Sequence, residues 1–113
     1  MSEKFTVEPA HGTIVVRSTD GVLAESRNAL VLREGAYPAV FYLPRADVAM
    51  EFLDRSDKVT HCPHKGDATH FHIVGVGGTI ENAAWSYEAP KPGAEAIAGY
   101  VAFYPESLAI EGI

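Results

Sequence analysis

The residues best suited to chemistry lie between His61 and His72, a segment that holds four of the five histidines and the single cysteine. Imidazole and thiolate are the groups that hold zinc in proteins, and His70 and His72 would share one face of a strand. One hypothesis is therefore a metal- or thiol-dependent enzyme that uses His61, Cys62, His70 and His72. The spacing lacks a second cysteine and a helical His-x-x-x-His pair, and the cation of Lys65 would repel a metal ion. We expect no cofactor, and zinc or another metal is the alternative.

Cys62 is also a candidate nucleophile in the absence of a metal. Positive charge on Lys65, His61 or His64 would favour its thiolate form. A lone cysteine in a reducing compartment is more often a small buried apolar side chain, and a cysteine directly before Pro63 fits the end of a strand. The packing role is the favoured interpretation.

Lys65 and Gly66 suggest ligand binding instead. Glycine tolerates positive φ and a close approach of the backbone to a ligand, and lysine offers a mobile charge for a carboxylate or phosphate. The alternative is a surface turn with a solvated lysine, and the residues by themselves favour it. The chain contains no Gly-x-x-x-x-Gly-Lys-Ser/Thr segment, so Lys65 is not the lysine of a nucleotide-binding phosphate loop.

Trp85 and Tyr87 form an aromatic pair at the end of a predicted strand, shortly before two prolines. Such side chains either seal the edge of a core or line a cleft, where the indole N–H and phenol O–H serve as polar groups. From the residues alone, sealing of the core is the better interpretation.

Short apolar runs separated by turn residues predict the strands that must position these side chains. An Asp-Gly turn in Ser18–Gly21 joins Ile14–Val16 to Val22–Ala24, which is typical of a β-hairpin. Ala29–Leu32 is typical of a buried strand. From Thr69 the apolar period is two, and Gly75–Gly78 permits a turn into the next strand. Tyr100–Tyr104 is the last predicted strand, and Ala94–Ala98 forms one helical turn that Gly99 ends.

One helix is predicted, near residues 44–54. Pro44 suits the first helical position, and Asp47 complements the helix dipole in the first turn. Ala46, Ala49, Met50 and Leu53 recur at helical spacing. With the strands, this predicts a mostly β (β-rich α+β) fold.

Composition sets broader limits on the class of protein. The 113 residues, 47% of them hydrophobic, predict a single domain over residues 1–113 with its own core. The net charge of −6 argues against a nucleic-acid partner and an anionic membrane surface. The unpaired cysteine, and the absence of an apolar run near Met1, predict a cytoplasmic protein. These features set no oligomeric state.

Four segments occur in an order that resembles the domain of unknown function 427 family, small bacterial and fungal proteins. They are Phe41–Val48, Thr60–Ala68, Ala83–Tyr87 and Ile97–Tyr104, and the resemblance extends from Val22 to Ile110. It implies a β-tent-like fold, with two antiparallel sheets that meet at an angle. The nucleotidyltransferase-like label that some catalogues give the family has no support in these residues. The residues that match the family pattern are Arg27, Tyr42, Pro44, Arg45, Asp47, Thr60, Cys62, Pro63, Lys65, Gly66, Trp85, Tyr87, Phe103 and Tyr104.

The resemblance argues against the metal hypothesis, because relatives usually carry an aromatic residue at the positions of His64 and His70. It favours Lys65 as a ligand-binding residue instead. The expected function is binding of a small anionic or polar ligand, and whether a reaction follows stays open. The expected ligand-binding residues are Lys65, Trp85, Tyr87, Tyr42, Arg45, Arg27 and Cys62. Tyrosine and tryptophan would form the walls, lysine and arginine would hold an anionic group, and the cysteine would support the lysine turn. The alternative is a non-catalytic protein-interaction module that uses exposed aromatic side chains.

Overall fold

The computed structural model describes residues 5–112, most of which lie in strands. The strands are β1 (Thr6–Pro9), β2 (Ile14–Ser18), β3 (Gly21–Ser26), β4 (Leu30–Arg33), β5 (Val40–Tyr42), β6 (Leu53–Cys62), β7 (Gly66–Gly75), β8 (Gly78–Ser86), β9 (Ala102–Phe103) and β10 (Ala109–Gly112). Three single 3-10 turns complete the described secondary structure, at Arg45–Asp47, Met50–Phe52 and Glu95–Ile97. In this part of the chain, no helix has the length and apolar character needed to cross a membrane. The prediction of a mostly β fold is confirmed.

The strands form three antiparallel sheets, whereas the sequence predicted two. The first sheet has the order β1-β4-β5, the second β10-β2-β3 and the third β6-β7-β8-β9. The extra sheet arises because one long hairpin, residues 6–33, is broken in both arms. Gly12, at a φ of 74°, interrupts the first arm, and a turn at Asn28 interrupts the second. The outer half pairs β1 with β4, and the inner half pairs β2 with β3.

The predicted helix near residues 44–54 is wrong. Two 3-10 turns, Arg45–Asp47 and Met50–Phe52, lie on either side of Val48, which is extended at a φ of −113° and a ψ of 136°. Val48 forms a β-bridge with Ala24, and the next N–H donates to the carbonyl of Leu23 at 2.8 Å. Pairing with β3 therefore outweighs helical propensity, and a β-branched residue favours that outcome.

The predicted hairpins are confirmed. Thr19 and Asp20 form the turn between the paired strands β2 and β3. The paired strands β7 and β8 are joined by a turn in which Gly75 lies opposite Gly78. The carboxylate of Asp20 accepts a hydrogen bond from the N–H of Gly77 at 3.1 Å, so the tips of the two hairpins meet. The predicted helical turn is present as Glu95–Ile97, and the last predicted strand is reduced to Ala102–Phe103.

The third sheet separates two hydrophobic clusters. Phe71 and Ala84 face the larger cluster, which includes Val16 and Leu23 of the second sheet. Their neighbours along the strands point to the opposite face. On that face Ala68 and Ala102 pack with Leu32 and Tyr42 of the first sheet, with Trp85 packed against them. The candidate site lies on this second side.

Candidate functional site

A cleft of about 200 Å³ lies between the first and third sheets, and we call it the aromatic cleft. Strands β4, β5, β6 and β8 contribute to its walls, together with the β6–β7 turn. The lining residues are Leu32, Glu34, Tyr37, Pro38, Val40, Tyr42, Thr60, Lys65, Trp85, Tyr87 and Tyr104. Four of the seven ligand-binding residues expected from the sequence, Tyr42, Lys65, Trp85 and Tyr87, are therefore brought together here.

The aromatic walls hold one another in place. The indole N–H of Trp85 donates to the hydroxyl of Tyr42 at 3.3 Å, and the two rings meet edge to face with centroids 6.2 Å apart. Trp85 also packs on Tyr104 with centroids 4.3 Å apart. Such contacts restrict ring motion, so the walls present fixed surfaces to a ligand.

Tyr42 and Tyr87 are the buried members of this set, with 1% and 7% of their surfaces exposed. Burial disfavours the phenolate and raises the pKa of each to about 12. Both side chains are therefore neutral phenols at physiological pH. Each keeps a hydroxyl that can donate or accept a hydrogen bond.

Lys65 and Glu34 form an ion pair at the cleft. Nζ of Lys65 lies 2.8 Å from Oε1 of Glu34, with only 8% of the lysine side chain and 27% of the glutamate side chain exposed. Nζ also lies 5.4 Å from the ring centre of Phe5 and 6.0 Å from that of Tyr87, within the range of cation–π attraction. The β6–β7 turn positions the lysine, and Glu34 directly follows β4.

The ammonium form of Lys65 is stabilised despite its burial. Loss of water alone would lower its pKa, but the hydrogen bond to Glu34 and nearby negative potential more than offset this and raise the net pKa. A lysine that reacts as a neutral amine needs the opposite shift. The chemistry that this side chain supports is electrostatic binding.

His70 lies behind the aromatic wall and is fully buried. Its Nε2 is 3.1 Å from the hydroxyl of Tyr104, and the two rings stack with centroids 6.1 Å apart. Burial disfavours the imidazolium and lowers the pKa of His70. A neutral imidazole therefore holds the Tyr104 ring that in turn supports Trp85.

A family model described as a domain of unknown function (DUF427) matches residues 6–112, nearly the whole chain. The chain belongs to this family. No curated protein matches it. In this DUF427 chain the Thr60–Ala68 and Ala83–Tyr87 segments contribute lysine and aromatic residues, respectively, to one cleft.

The other three expected ligand-binding residues lie outside the cleft lining. Arg45 is on the opposite face of the third sheet, with its guanidinium 5.6 Å from the ring centre of Phe71. It donates to the carbonyl of Gly99 at 2.9 Å and to Glu88 at 2.8 Å. Arg27 is exposed. Cys62 is half-buried and packs against the smaller hydrophobic cluster.

The histidines of the metal hypothesis have separate partners. Nδ1 of His61 lies 2.8 Å from a carboxylate oxygen of Asp67, and Nδ1 of His72 accepts the backbone N–H of Asn82 at 3.0 Å. Within residues 5–112, no three side chains of His, Cys, Asp or Glu are grouped so that they could hold one metal ion.

Glu34, which lines the cleft, was not predicted from the sequence. Glu34 follows a strand in an Arg-Glu-Gly segment that looks like an ordinary turn, and its partner lies 31 positions away. No local pattern identifies such a pair.

Proposed function

We propose that this chain binds a small polar molecule in the aromatic cleft. The observation that carries the proposal is the Lys65–Glu34 ion pair, which lines a cleft whose other walls are largely aromatic and aliphatic. Charged groups lose hydration when they are buried, and a ligand with matching polar groups would restore part of it. The unpaired Cys62 fits a reducing compartment, and we place the protein in the cytoplasm.

The lining follows the usual composition of small-molecule sites, in which apolar walls surround a few well-positioned polar groups. At about 200 Å³, the cleft is smaller than most such sites, which favours a ligand of metabolite size. The half-buried ring of Trp85 suits stacking of a flat group, while Lys65 and the phenol of Tyr42 contribute polar groups to the cleft lining.

The protein-interaction alternative required exposed aromatic side chains. Tyr37 is exposed over 76% of its surface, but Tyr42 and Tyr87 are buried. The aromatic side chains thus face the interior of a cleft more than they cover a surface, which favours a small ligand. Nothing in the site commits the protein to catalysis.

The test uses Trp85, the single tryptophan, as an internal reporter. A library of small polar metabolites would be screened by thermal shift and by tryptophan fluorescence. We expect at least one compound to raise the melting temperature and change the Trp85 emission saturably. The Tyr42→Phe variant, which lacks a cleft hydroxyl, should bind it more weakly, and Arg27→Ala, outside the cleft lining, should bind it normally. Silence of both signals across the library, or equal loss in the Arg27→Ala control, would count against the proposal.

A further inference from the structure

We infer that the ligand of the aromatic cleft carries no net charge and ends in a carboxamide- or urea-type group, which both donates and accepts hydrogen bonds. This rests on the proposed function and narrows it to a class of ligand. Glu34 is the residue that restricts the class of ligand, because its carboxylate lies beside Lys65 and changes which molecules the lysine can bind.

The charge of the cleft sums to zero. Among the described residues that line it, Lys65 carries the positive charge and Glu34 the negative charge, and the other lining side chains are uncharged. An anion drawn to Lys65 would approach the glutamate that is 2.8 Å from the ammonium, and a cation drawn to Glu34 would approach the lysine. Either charge meets attraction and repulsion of similar size.

Water does not screen these opposing interactions with a charged ligand, because the Lys65–Glu34 pair is shielded from solvent. The side chains of Lys65 and Glu34 are 8% and 27% exposed, in contrast to Arg17 and Glu111, whose ion pair is about half exposed on both sides. Screening by water and salt is weaker in the shielded position. An unmatched charge on a ligand would therefore be penalised more strongly here than on the surface.

An uncharged amide matches the hydrogen-bond donors and acceptors that the Lys65–Glu34 pair leaves free. The ammonium has three N–H donors and Glu34 takes one of them, while the carboxylate has several lone-pair positions and Lys65 occupies one. The carbonyl oxygen of an amide can accept from Lys65 while its N–H group donates to Glu34. A flat group attached to the amide would then lie along Trp85, with the phenol of Tyr42 nearby.

The experiment compares three probes that share one ring: benzamide, benzoate and benzylammonium. Affinities would be measured through Trp85 fluorescence, with thermal shift as a second readout. For the native protein we expect benzamide to bind at least about tenfold more tightly than either charged probe, a difference of about 1.4 kcal/mol. Its affinity should change little with salt, because an uncharged ligand makes no net ion pair.

Two charge-neutralising variants should shift the preference in opposite directions. Glu34→Gln leaves Lys65 without its carboxylate and should make benzoate the best of the three probes. Lys65→Met leaves the glutamate alone and should make benzylammonium the best. Circular dichroism of both variants would confirm that the fold is retained, and the native comparison and its salt dependence need no variant.

Failure of this inference is distinguishable from failure of the proposed function. If a charged probe or library compound binds native protein more tightly than its uncharged amide, the inference is overturned and the proposed function stands. If benzamide binds best but the preference is the same in both variants, the ion pair does not select the ligand and the inference also fails. If the probes and the whole library leave the melting temperature and Trp85 emission unchanged, the proposed function falls and takes the inference with it.

Discussion

At the scale of single residues, the candidate site depends on side chains held in one protonation state. Burial keeps Tyr42 and Tyr87 as phenols and His70 as a neutral imidazole, whereas the neighbouring Glu34 helps to raise the pKa of Lys65 and so stabilises its ammonium form. The walls are thus neutral and the charge is confined to one ion pair. Substitution of a buried neutral side chain or of a member of the ion pair should change the free energy of unfolding, which can be measured without a ligand.

The Lys65–Glu34 pair should show strong energetic coupling. Lys65→Met or Glu34→Gln alone leaves a shielded charge without its partner, and each should lower the free energy of unfolding by about 1–3 kcal/mol. The double variant should lose clearly less than the sum of the two. Urea denaturation followed by circular dichroism measures this cycle. The matched control is the exposed Arg17–Glu111 pair, for which coupling should stay below about 1 kcal/mol. Additive losses at Lys65 and Glu34 would contradict the prediction.

His70 should make stability depend on pH. Its pKa in the folded protein lies below the value of 6.5 for a free side chain, so the unfolded chain binds a proton that the native protein excludes. The stabilising contribution is fully present above pH 6.5 and is lost as the pH falls from there through the folded pKa.

The measurement compares the free energy of unfolding of native protein and His70→Gln between about pH 8 and pH 5. Glutamine keeps an acceptor for the Tyr104 hydroxyl but has no proton to gain in this range. The native protein should lose more stability toward acid pH than the variant does. Parallel curves would show that His70 does not contribute.

At the scale of elements, the β6–β7 hairpin positions Lys65 through Gly66. This glycine adopts a φ of +108°, which side-chain-bearing residues rarely adopt, and it pairs with Cys62 across the hairpin. The carbonyl of Lys65 accepts the N–H of Lys91 at 2.9 Å, and Nζ of Lys91 donates to the carbonyl of Pro63 at 3.1 Å. The turn is therefore held by its own backbone and by the segment that follows β8.

Gly66→Ala should destabilise the protein by about 1–3 kcal/mol, because alanine is strained at this φ. A Cβ at this position would lie 3.5 Å from the nearest atom, the backbone N of Lys91, so the cost comes from the backbone and not from a clash. Thermal and urea unfolding measure the loss. Gly112→Ala is the control, since its φ is not positive and its Cβ would make an ordinary contact with Ile14 at 3.7 Å. Equal effects at the two glycines would contradict this explanation.

At the scale of the whole molecule, the third sheet is a partition between the main core and the cleft. Adjacent residues reach the two sides: Tyr42 lines the cleft, whereas Leu43 is 1% exposed in the larger cluster. Leu43 also pairs with Val101 through backbone hydrogen bonds of 2.8 Å in both directions. Packing of the core and geometry of the cleft are therefore linked through β5.

Leu43→Ala should lower the free energy of unfolding by about 2–5 kcal/mol through the cavity that it leaves. Because Tyr42 is the next residue, the same change should also alter the emission of Trp85, which hydrogen-bonds to that tyrosine. Leu23→Ala is the matched control, as Leu23 is buried in the same cluster but β3 contributes nothing to the cleft lining. It should cost similar stability while leaving the emission of the folded protein unchanged. A similar change in emission in both variants would argue against the link through β5.

The sequence by itself determined the features that depend on local geometry. Asp20-Gly21 and Gly75–Gly78 require turns, and the period of two around Phe71 requires a strand, since these preferences act between near neighbours. The chemical identity of the cleft was also accessible, because Lys65, Trp85 and Tyr87 stood out by type and by family resemblance. In the structure these three side chains line one cleft.

Only the tertiary structure decided how these elements combine. Val48 is extended and not helical because it pairs with Ala24 of β3. The interruption of the first hairpin at Gly12 produces a third sheet. Arg45 and Lys65 were expected to hold one ligand, yet Lys65 lines the cleft and Arg45 contacts Phe71 on the other side of the third sheet. Glu34, just after β4, forms the ion pair with Lys65 instead. The physical reason is that pairing between distant segments depends on how whole sheets bury their faces, which no short stretch of residues encodes.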